Sequence, residues 1–109
     1  MSPALEAVEA IYFNAQARLN DMLAACHSEE ERIAIRTQYV LTRHNYFVCI
    51  NKTFHDDDPA LQADVALANA VALELKAIDA QLGDITKVIN TMTTAVAYGA
   101  KIVTKIMVL

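Results

Sequence analysis

Apolar residues recur along most of the chain at alternating intervals of three and four positions, the spacing that places side chains on one face of an α-helix. The pattern covers four segments of similar length, with polar interruptions near positions 27, 56 and 83. We therefore predict four helices, over approximately 3–26, 29–54, 59–82 and 85–109. Helices of matched length favour an all-α protein, an antiparallel four-helix bundle in which residues 1–109 form a single helical domain.

Each predicted helix is preceded by a residue that can cap its first turn. The side-chain oxygen of such a residue accepts a hydrogen bond from a free backbone N–H. The four candidate N-caps are Ser2, Ser28, Asp58 and Asp84. Pro3 and Pro59 follow two of these caps, at the position where helices favour proline. Glu31, three residues after Ser28, completes the pattern of a capping box.

The junction at Gly83 permits a second architecture. In a closed bundle, Gly83 would adopt the left-handed backbone conformation and end the third helix. The apolar spacing nevertheless continues through the junction from Ile78 to Ile106, and one glycine costs a helix only about 1 kcal/mol. The alternative is a helical hairpin plus one long projecting helix, which would oligomerise to cover its apolar face.

The second predicted helix carries two apolar rows. The first has coiled-coil spacing and alternates apolar with polar residues: Ile33, Thr37, Val40, His44, Phe47, Asn51 and Phe54. The second lies beside it: Ile35, Tyr39, Tyr46, Cys49 and Ile50. We interpret the first row as the main buried seam, in which the polar positions specify register. Both rows are expected to face the interior of the bundle.

Residues 85–109 contain three lysines and no acid, whereas residues 1–84 hold all 13 acids and six basic residues. The apolar face of this segment is predicted to be an assembly or partner surface: Ile85, Ile89, Met92, Val96, Val103 and Ile106. The lysines on its opposite side, Lys87, Lys101 and Lys105, would contact anionic lipid if the protein binds a membrane surface. Attraction to the acidic remainder of the chain explains the same asymmetry.

Four residues define a possible polar pocket for a small ligand: Tyr12, Tyr39, His44 and Tyr46. His44 has the chemistry of a proton carrier or metal ligand, but we favour a core histidine hydrogen-bonded to Tyr12. The sequence has no Glu-x-x-His pair of the di-iron bundles and no glycine-rich phosphate loop. We therefore expect no metal, no cofactor and no catalytic residue.

Two acids interrupt the apolar face of the third predicted helix. Asp64 lies in its second turn, where the positive end of the helix dipole favours a carboxylate. Asp79 is predicted to lie level with Arg32 or Arg36 and to form a structural ion pair.

The overall composition narrows the functional classes. The net charge of −4 disfavours nucleic-acid binding. We see no cleavable signal peptide, and the longest uncharged run, 88–100, is too short to span a membrane. A cytoplasmic location is therefore expected, with unconventional export left open. Cys26 and Cys49 are about 30 Å apart along a helix, too far for a disulfide.

These features favour a non-catalytic interaction or assembly protein that associates through apolar helix faces. Its partner would be a second copy of the chain or another protein. A protein that binds a membrane surface through the C-terminal helix is one alternative. A helical bundle that binds a small ligand is the other.

Overall fold

The computed structural model describes residues 1–108 and contains four α-helices. They are α1 (Pro3–Ala25), α2 (Glu29–Cys49), α3 (Pro59–Lys76) and α4 (Ile85–Val103), with a short 3-10 helix at Ile78–Gln81. The helices pack against one another as a bundle of 46 × 20 × 18 Å. The predicted fold class, an all-α four-helix bundle, is confirmed.

The helices begin where the sequence predicts. The cap bonds join Ala4 N to Ser2 Oγ (3.1 Å), Glu31 N to Ser28 Oγ (3.1 Å), Ala60 N to Asp58 Oδ1 (2.9 Å) and Lys87 N to Asp84 Oδ1 (3.1 Å). The Glu31 carboxylate accepts a further bond from the backbone N–H of His27 at 2.6 Å. Each cap satisfies a backbone donor that would otherwise be free, and this local chemistry is visible in the sequence.

Three helix ends differ from the prediction. α4 ends at Val103, several residues before the predicted limit. α2 stops at Cys49, and Asn51 just beyond it adopts a left-handed conformation with φ of 62°, which asparagine tolerates. α3 ends at Lys76 and the chain turns through the 3-10 helix before α4, so the single long projecting helix is wrong. The left-handed conformation predicted for Gly83 is also wrong, because neither glycine has a positive φ. The 3-10 helix makes the turn instead.

Consecutive helices are not always neighbours. Asn14 Nδ2 donates to the Ala72 carbonyl at 3.3 Å, and Arg18 Nε donates to the Lys76 carbonyl at 2.8 Å. Residue numbers therefore rise together along α1 and α3, which are parallel neighbours. Within the described residues α2 contacts α1 and α4 but not α3. The segment between α2 and α3 crosses one end of the bundle, and these two helices occupy opposite corners.

The core between the helices is mainly aliphatic. Its largest fully buried side chains are Met22, Ile35, Leu61, Leu75, Ile78, Met92 and Ile102. Burying one such side chain contributes about 1.5–3 kcal/mol before the cost of chain ordering. Because α1 and α4 also contact each other across the centre, α2 and α3 are the outermost helices. Their outer faces are therefore the surfaces most open to a partner.

Candidate interaction surface

The first apolar row of α2 faces solvent. Ile33 is 53% exposed, Val40 is 55% exposed and Phe47 is 55% exposed. Thr37 and His44, which alternate with them, are exposed as well. The prediction that this row forms the buried seam is wrong. We call these five residues, together with the neighbouring Phe13, the outer α2 face.

The second row of α2 faces the core instead, together with Thr42, which the prediction did not include in that row. Ile35, Thr42 and Cys49 follow one another at intervals of seven residues and are 0%, 1% and 0% exposed. Burial of Thr42 is tolerated because its hydroxyl donates to the Tyr39 carbonyl at 2.6 Å, so no polar atom is left unsatisfied. The buried side of α2 contains the polar residue Thr42, whereas the exposed side contains the bulky apolar residues Ile33, Val40 and Phe47. The sequence pattern therefore indicated the wrong side of the helix as buried.

Five aromatic side chains cluster where α1 meets α2, beside the outer α2 face. The Tyr12 ring lies at the centre, 5.4 Å from Phe13, 5.9 Å from Tyr39, 5.4 Å from Tyr46 and 6.3 Å from Phe47, measured between centroids. Tyr12 is buried, whereas Phe13 is 46% exposed. The cluster therefore links the core to the surface, with its two phenylalanines at the outer edge.

Charged groups of both signs border the outer α2 face. The Arg43 guanidinium lies 5.6 Å from the Phe47 ring centroid, a cation–π distance. At the other end, the Glu29 carboxylate accepts hydrogen bonds from Arg32 at 2.9 Å and from Arg36 at 2.6 Å. The bond from Arg32, followed by that from Arg36, lowers the pKa of Glu29. One end of the face thus carries acids and arginines together, and the other end carries the Arg43 cation.

The structure brings together the three tyrosines of the predicted polar pocket but not His44. Gln16 Nε2 donates to the Tyr12 hydroxyl at 3.4 Å, and the Tyr46 hydroxyl donates to Glu9 Oε2 at 3.4 Å. Desolvation raises the pKa of Tyr46, and the Glu9 carboxylate raises it further. The tyrosine rings pack against one another instead of lining a cavity. His44 is exposed on the outer α2 face, so the core histidine bonded to Tyr12 is wrong.

The apolar residues of α4 predicted as an assembly surface turn towards the bundle. Ile85 is 8% exposed and Met92 is fully buried. Ile89, Val103 and Ile106 are partly buried and pack against the core, and Val96 is also partly buried. An assembly role for this helix stays a prediction, but packing within one chain already uses most of its apolar face.

The three predicted lipid-contacting lysines have different environments. Lys105 Nζ lies 2.6 Å from Asp64 Oδ2, so this lysine is held in an ion pair. Lys101 Nζ lies 5.8 Å from the Tyr98 ring centroid, and Lys87 is exposed. Asp64 therefore has a specific counter-ion in addition to its position near the start of α3. Lys105 lies after α4, far from Asp64 in the sequence. The local pattern around Asp64 therefore did not predict this ion pair.

Asp79 does not lie beside Arg32 or Arg36, so the predicted ion pair is wrong. α2 and α3 occupy opposite corners, and Asp79 instead lies near Asp21 on α1. Desolvation raises the pKa of the Asp79 carboxyl, and the hydrogen bond and repulsion from Asp21 add to the effect, while Arg18 opposes it. Two carboxyl groups thus share one end of the bundle.

Other kinds of site find little support in the part of the chain that the structure describes. Residues 1–108 hold no group of three or more His, Cys, Asp or Glu residues placed to bind a metal ion. None of the helices in this range is both long enough and apolar enough to cross a membrane. Cys26 and Cys49 are unpaired. A surface groove of about 380 Å³ lies between α1 and α3, away from the tyrosine cluster.

No family model, curated protein or solved structure matches the chain. What the protein binds must therefore be inferred from its own surface. Outside the outer α2 face, the large exposed apolar side chains within a helix are Leu41 on α2 and Leu67 and Leu73 on α3. The aromatic cluster and the paired charges distinguish the outer α2 face from α3.

Proposed function

We propose that the protein is a non-catalytic helical interaction protein that binds another protein helix through the outer α2 face. The observation that carries this proposal is the row Ile33, Val40 and Phe47, in which every side chain is more than half exposed. Burying apolar surface yields about 25 cal/mol per Å². Large apolar side chains exposed along one line of a helix and bordered by polar residues are typical of a protein-binding surface.

The regular spacing of the row supports a helix as the bound element. Ile33, Thr37, Val40, His44 and Phe47 repeat at intervals of four and three residues. This rhythm keeps the side chains along one line of an α-helix, where a second helix can pack with its own side chains between them. The polar members Thr37 and His44 permit exposure when no partner is bound.

The aromatic cluster supports strong anchor points at one end of this face. Phe13 and Phe47 are exposed at their outer edges and are backed by the buried Tyr12 ring. Arg43 lies over Phe47. Aromatic residues and arginine are enriched among the few residues that carry most of the energy of protein interfaces. Rigid backing reduces the entropy lost when a partner binds.

The charges beside the face support a protein partner more than an anionic membrane. Binding to anionic lipid is favoured by several cations without interspersed acids. Here Glu29 and Glu30 lie at one end together with Arg32 and Arg36, and Arg43 lies at the other end. The acids interspersed among these arginines weaken attraction to an anionic surface, whereas a protein can match charges of both signs.

Site-specific photocrosslinking tests this function even while the partner is unidentified. A photoreactive benzoylphenylalanine replaces Val40 in one variant and the 66%-exposed Leu73 of α3 in a matched control. In cells that express the protein from its own gene, we expect protein adducts from position 40 and few from position 73. Adding Ile33→Asp to the first variant should reduce them. A folded Val40 variant that yields no adduct above the control would refute the proposal.

A further inference from the structure

We infer that the partner of the outer α2 face is an amphipathic helix that carries carboxylates along one edge, opposite Arg36 and Arg43. This inference rests on the proposed function because it names the chemistry of the partner that binds the same face. It follows from the excess of arginines over carboxylates on one side of the exposed apolar row.

Three of the four arginines in the chain lie on one side of this row. They are Arg32, Arg36 and Arg43, and their intervals of four and seven residues place them along a single flank of α2. This flank faces α1, because the Arg43 guanidinium lies 5.6 Å from the Phe47 ring centroid and Phe47 packs against Tyr12 of α1. We call these three residues the arginine flank.

One carboxylate of α2 neutralises only part of the arginine flank. Glu29 accepts a hydrogen bond from Arg32 Nε at 2.9 Å and another from Arg36 Nη2 at 2.6 Å. A guanidinium has five N–H donors, so most donors of both arginines stay available. Within residues 1–108, Arg43 forms no ion pair. Three cations thus share one carboxylate, and the flank keeps an excess of positive charge.

Carboxylates are the groups that this flank fits best. Arginine presents its donors in a planar fork that matches a carboxylate with two parallel hydrogen bonds. Glu29 holds Arg36, and the ring of Phe47 supports Arg43, so less side-chain entropy is lost on binding. Arg36 and Arg43 are about 10 Å apart along the helix axis at 1.5 Å per residue. Two acids seven residues apart on a partner helix would therefore face them.

An acidic helix edge fits this charge pattern better than other anionic or apolar partners. An anionic membrane would cover both sides of the apolar row and would also meet Glu29 and Glu30 in the first turn of α2. The edge of a helix covers one flank and can end before that turn. The α2 helix of a second copy would add its own arginines to the contact, which like-charge repulsion disfavours.

Synthetic peptides test the chemistry of the partner directly. Each probe is an amphipathic helix as long as α2, 21 residues, with leucine in one line and glutamate, glutamine or lysine on both flanks. Because both flanks are alike, either orientation presents the same residue to the arginine flank. By fluorescence anisotropy, the glutamate peptide should bind at least about ten-fold more tightly than the lysine peptide. The net charge of −4 would by itself favour the lysine peptide.

Charge reversal on the protein tests whether the arginine flank causes the preference. Arg36→Glu combined with Arg43→Glu should invert it, so that the lysine peptide binds most tightly. The matched control combines Lys76→Glu with Lys87→Glu, which changes the net charge equally at exposed positions on α3 and α4. It should keep the preference for glutamate. Val40→Asp should weaken binding of every peptide, and circular dichroism checks that each variant is folded.

The outcomes separate this inference from the proposed function. Equal affinity for the three peptides, weakened by Val40→Asp, would overturn the inference and support the function. Binding of no peptide would overturn the inference, while photocrosslinked adducts from position 40 would still support the function. Binding to phosphatidylserine vesicles that the Arg36 and Arg43 reversals abolish, without any peptide preference, would overturn it in favour of an anionic membrane.

Light scattering of the protein alone covers the remaining alternative. A mass that rises with concentration from 12.0 kDa towards twice that value would overturn the inference in favour of a second copy. A preference for the glutamate peptide that the Arg36 and Arg43 reversals invert, and that the control keeps, supports both the inference and the function.

Discussion

The ion pair between Asp64 and Lys105 joins the start of α3 to the segment after α4. Asp64 is the one buried carboxylate residue within residues 1–108, and its Oδ2 lies 2.6 Å from Lys105 Nζ. Lys105→Met would leave this carboxylate without its counter-ion. Because the Lys105 side chain is still 33% exposed, water would compensate in part. We expect the free energy of unfolding to fall by about 1–2 kcal/mol.

Urea unfolding measures that loss. The matched control is Lys87→Met, which removes the same charge from an exposed position on α4. It should change the free energy of unfolding by no more than about 0.5 kcal/mol. Equal unfolding midpoints for the two variants would show that the Asp64–Lys105 pair contributes no specific stability.

The carboxyl group of Asp79 makes stability depend on pH in the opposite sense from a paired acid. Desolvation, with Asp21 adding to it, raises the pKa of Asp79 in the folded protein. A raised pKa favours folding below the unfolded pKa, and this contribution is lost as the pH rises through the folded pKa. Asp79→Asn should therefore raise the melting temperature at neutral pH. It should have little effect below about pH 3, where Asp79 is protonated in both states.

Thermal unfolding at the two pH values tests the sign of the effect. The control is Asp57→Asn, in the exposed loop before α3, which removes one negative charge just as Asp79→Asn does. A melting temperature that falls at neutral pH in the Asp79 variant, or that rises equally in both variants, would contradict a local effect of Asp21.

The packing of α2 against α4 depends on Gly99. A Cβ atom added at this position would lie 2.8 Å from Asn45 Nδ2, and Asn45 uses that nitrogen to donate to the Val96 carbonyl at 3.2 Å. Gly99→Ala gains about 1 kcal/mol of helix propensity. It also displaces the buried amide and forfeits its bond, at a cost of about 2–3 kcal/mol. The net result should be a loss of roughly 1–2 kcal/mol in the free energy of unfolding.

Two matched variants isolate the contact. In an Asn45→Ala background the obstacle is gone, so Gly99→Ala should become neutral or stabilising. Gly83→Ala has no atom within 4 Å of the added Cβ and no positive φ. It should stabilise the protein by about 0.4–1 kcal/mol. A Gly99→Ala effect of the same sign in both backgrounds would show that Asn45 is not the cause.

Helix starts could be predicted from the sequence, but the inner face of α2 could not. Caps such as Ser28 bind backbone groups two or three residues away. Because this interaction is local, the start of each helix can be predicted from the neighbouring residues. The choice between the rows of Ile33 and Ile35 depends instead on which helices surround α2. Only α1 and α4 do so, and their positions follow from a crossing connection that no local pattern encodes. The aromatic cluster is partly visible in the sequence, because the predicted pocket includes three of its five members, all tyrosines.

The whole bundle distributes its exposed apolar residues unevenly. α1 and α4 meet at the centre, whereas α2 and α3 lie at opposite corners. The outer sides of these two corner helices carry most of the large apolar residues exposed within helices, including Val40 on α2 and Leu73 on α3. A bundle with this arrangement buries its core completely and still presents apolar surface on opposite sides. Binding of a partner at such a surface is therefore compatible with a stable single chain.

Hydrogen exchange can report whether the corner position of α2 has the expected consequence. A helix with fewer packed neighbours opens at a lower free-energy cost, so its amides exchange sooner. In the free protein we expect the amides of α2 to exchange before those of α1 and α4. Saturation with the glutamate peptide should slow exchange in α2, while α3, the other corner helix, should be unchanged.

Val40→Asp supplies the control, because a charge at a 55%-exposed position should disrupt the contact with the peptide without unfolding the chain. In this variant the exchange of α2 should no longer depend on the peptide. Equal slowing in α2 and α3 of the unaltered protein would instead indicate that the peptide binds both corner helices. Exchange that is independent of the peptide in both proteins would show that α2 does not bind it under these conditions. Since α3 is equally peripheral, its behaviour separates specific burial of the outer α2 face from a general effect of the peptide on the two corner helices.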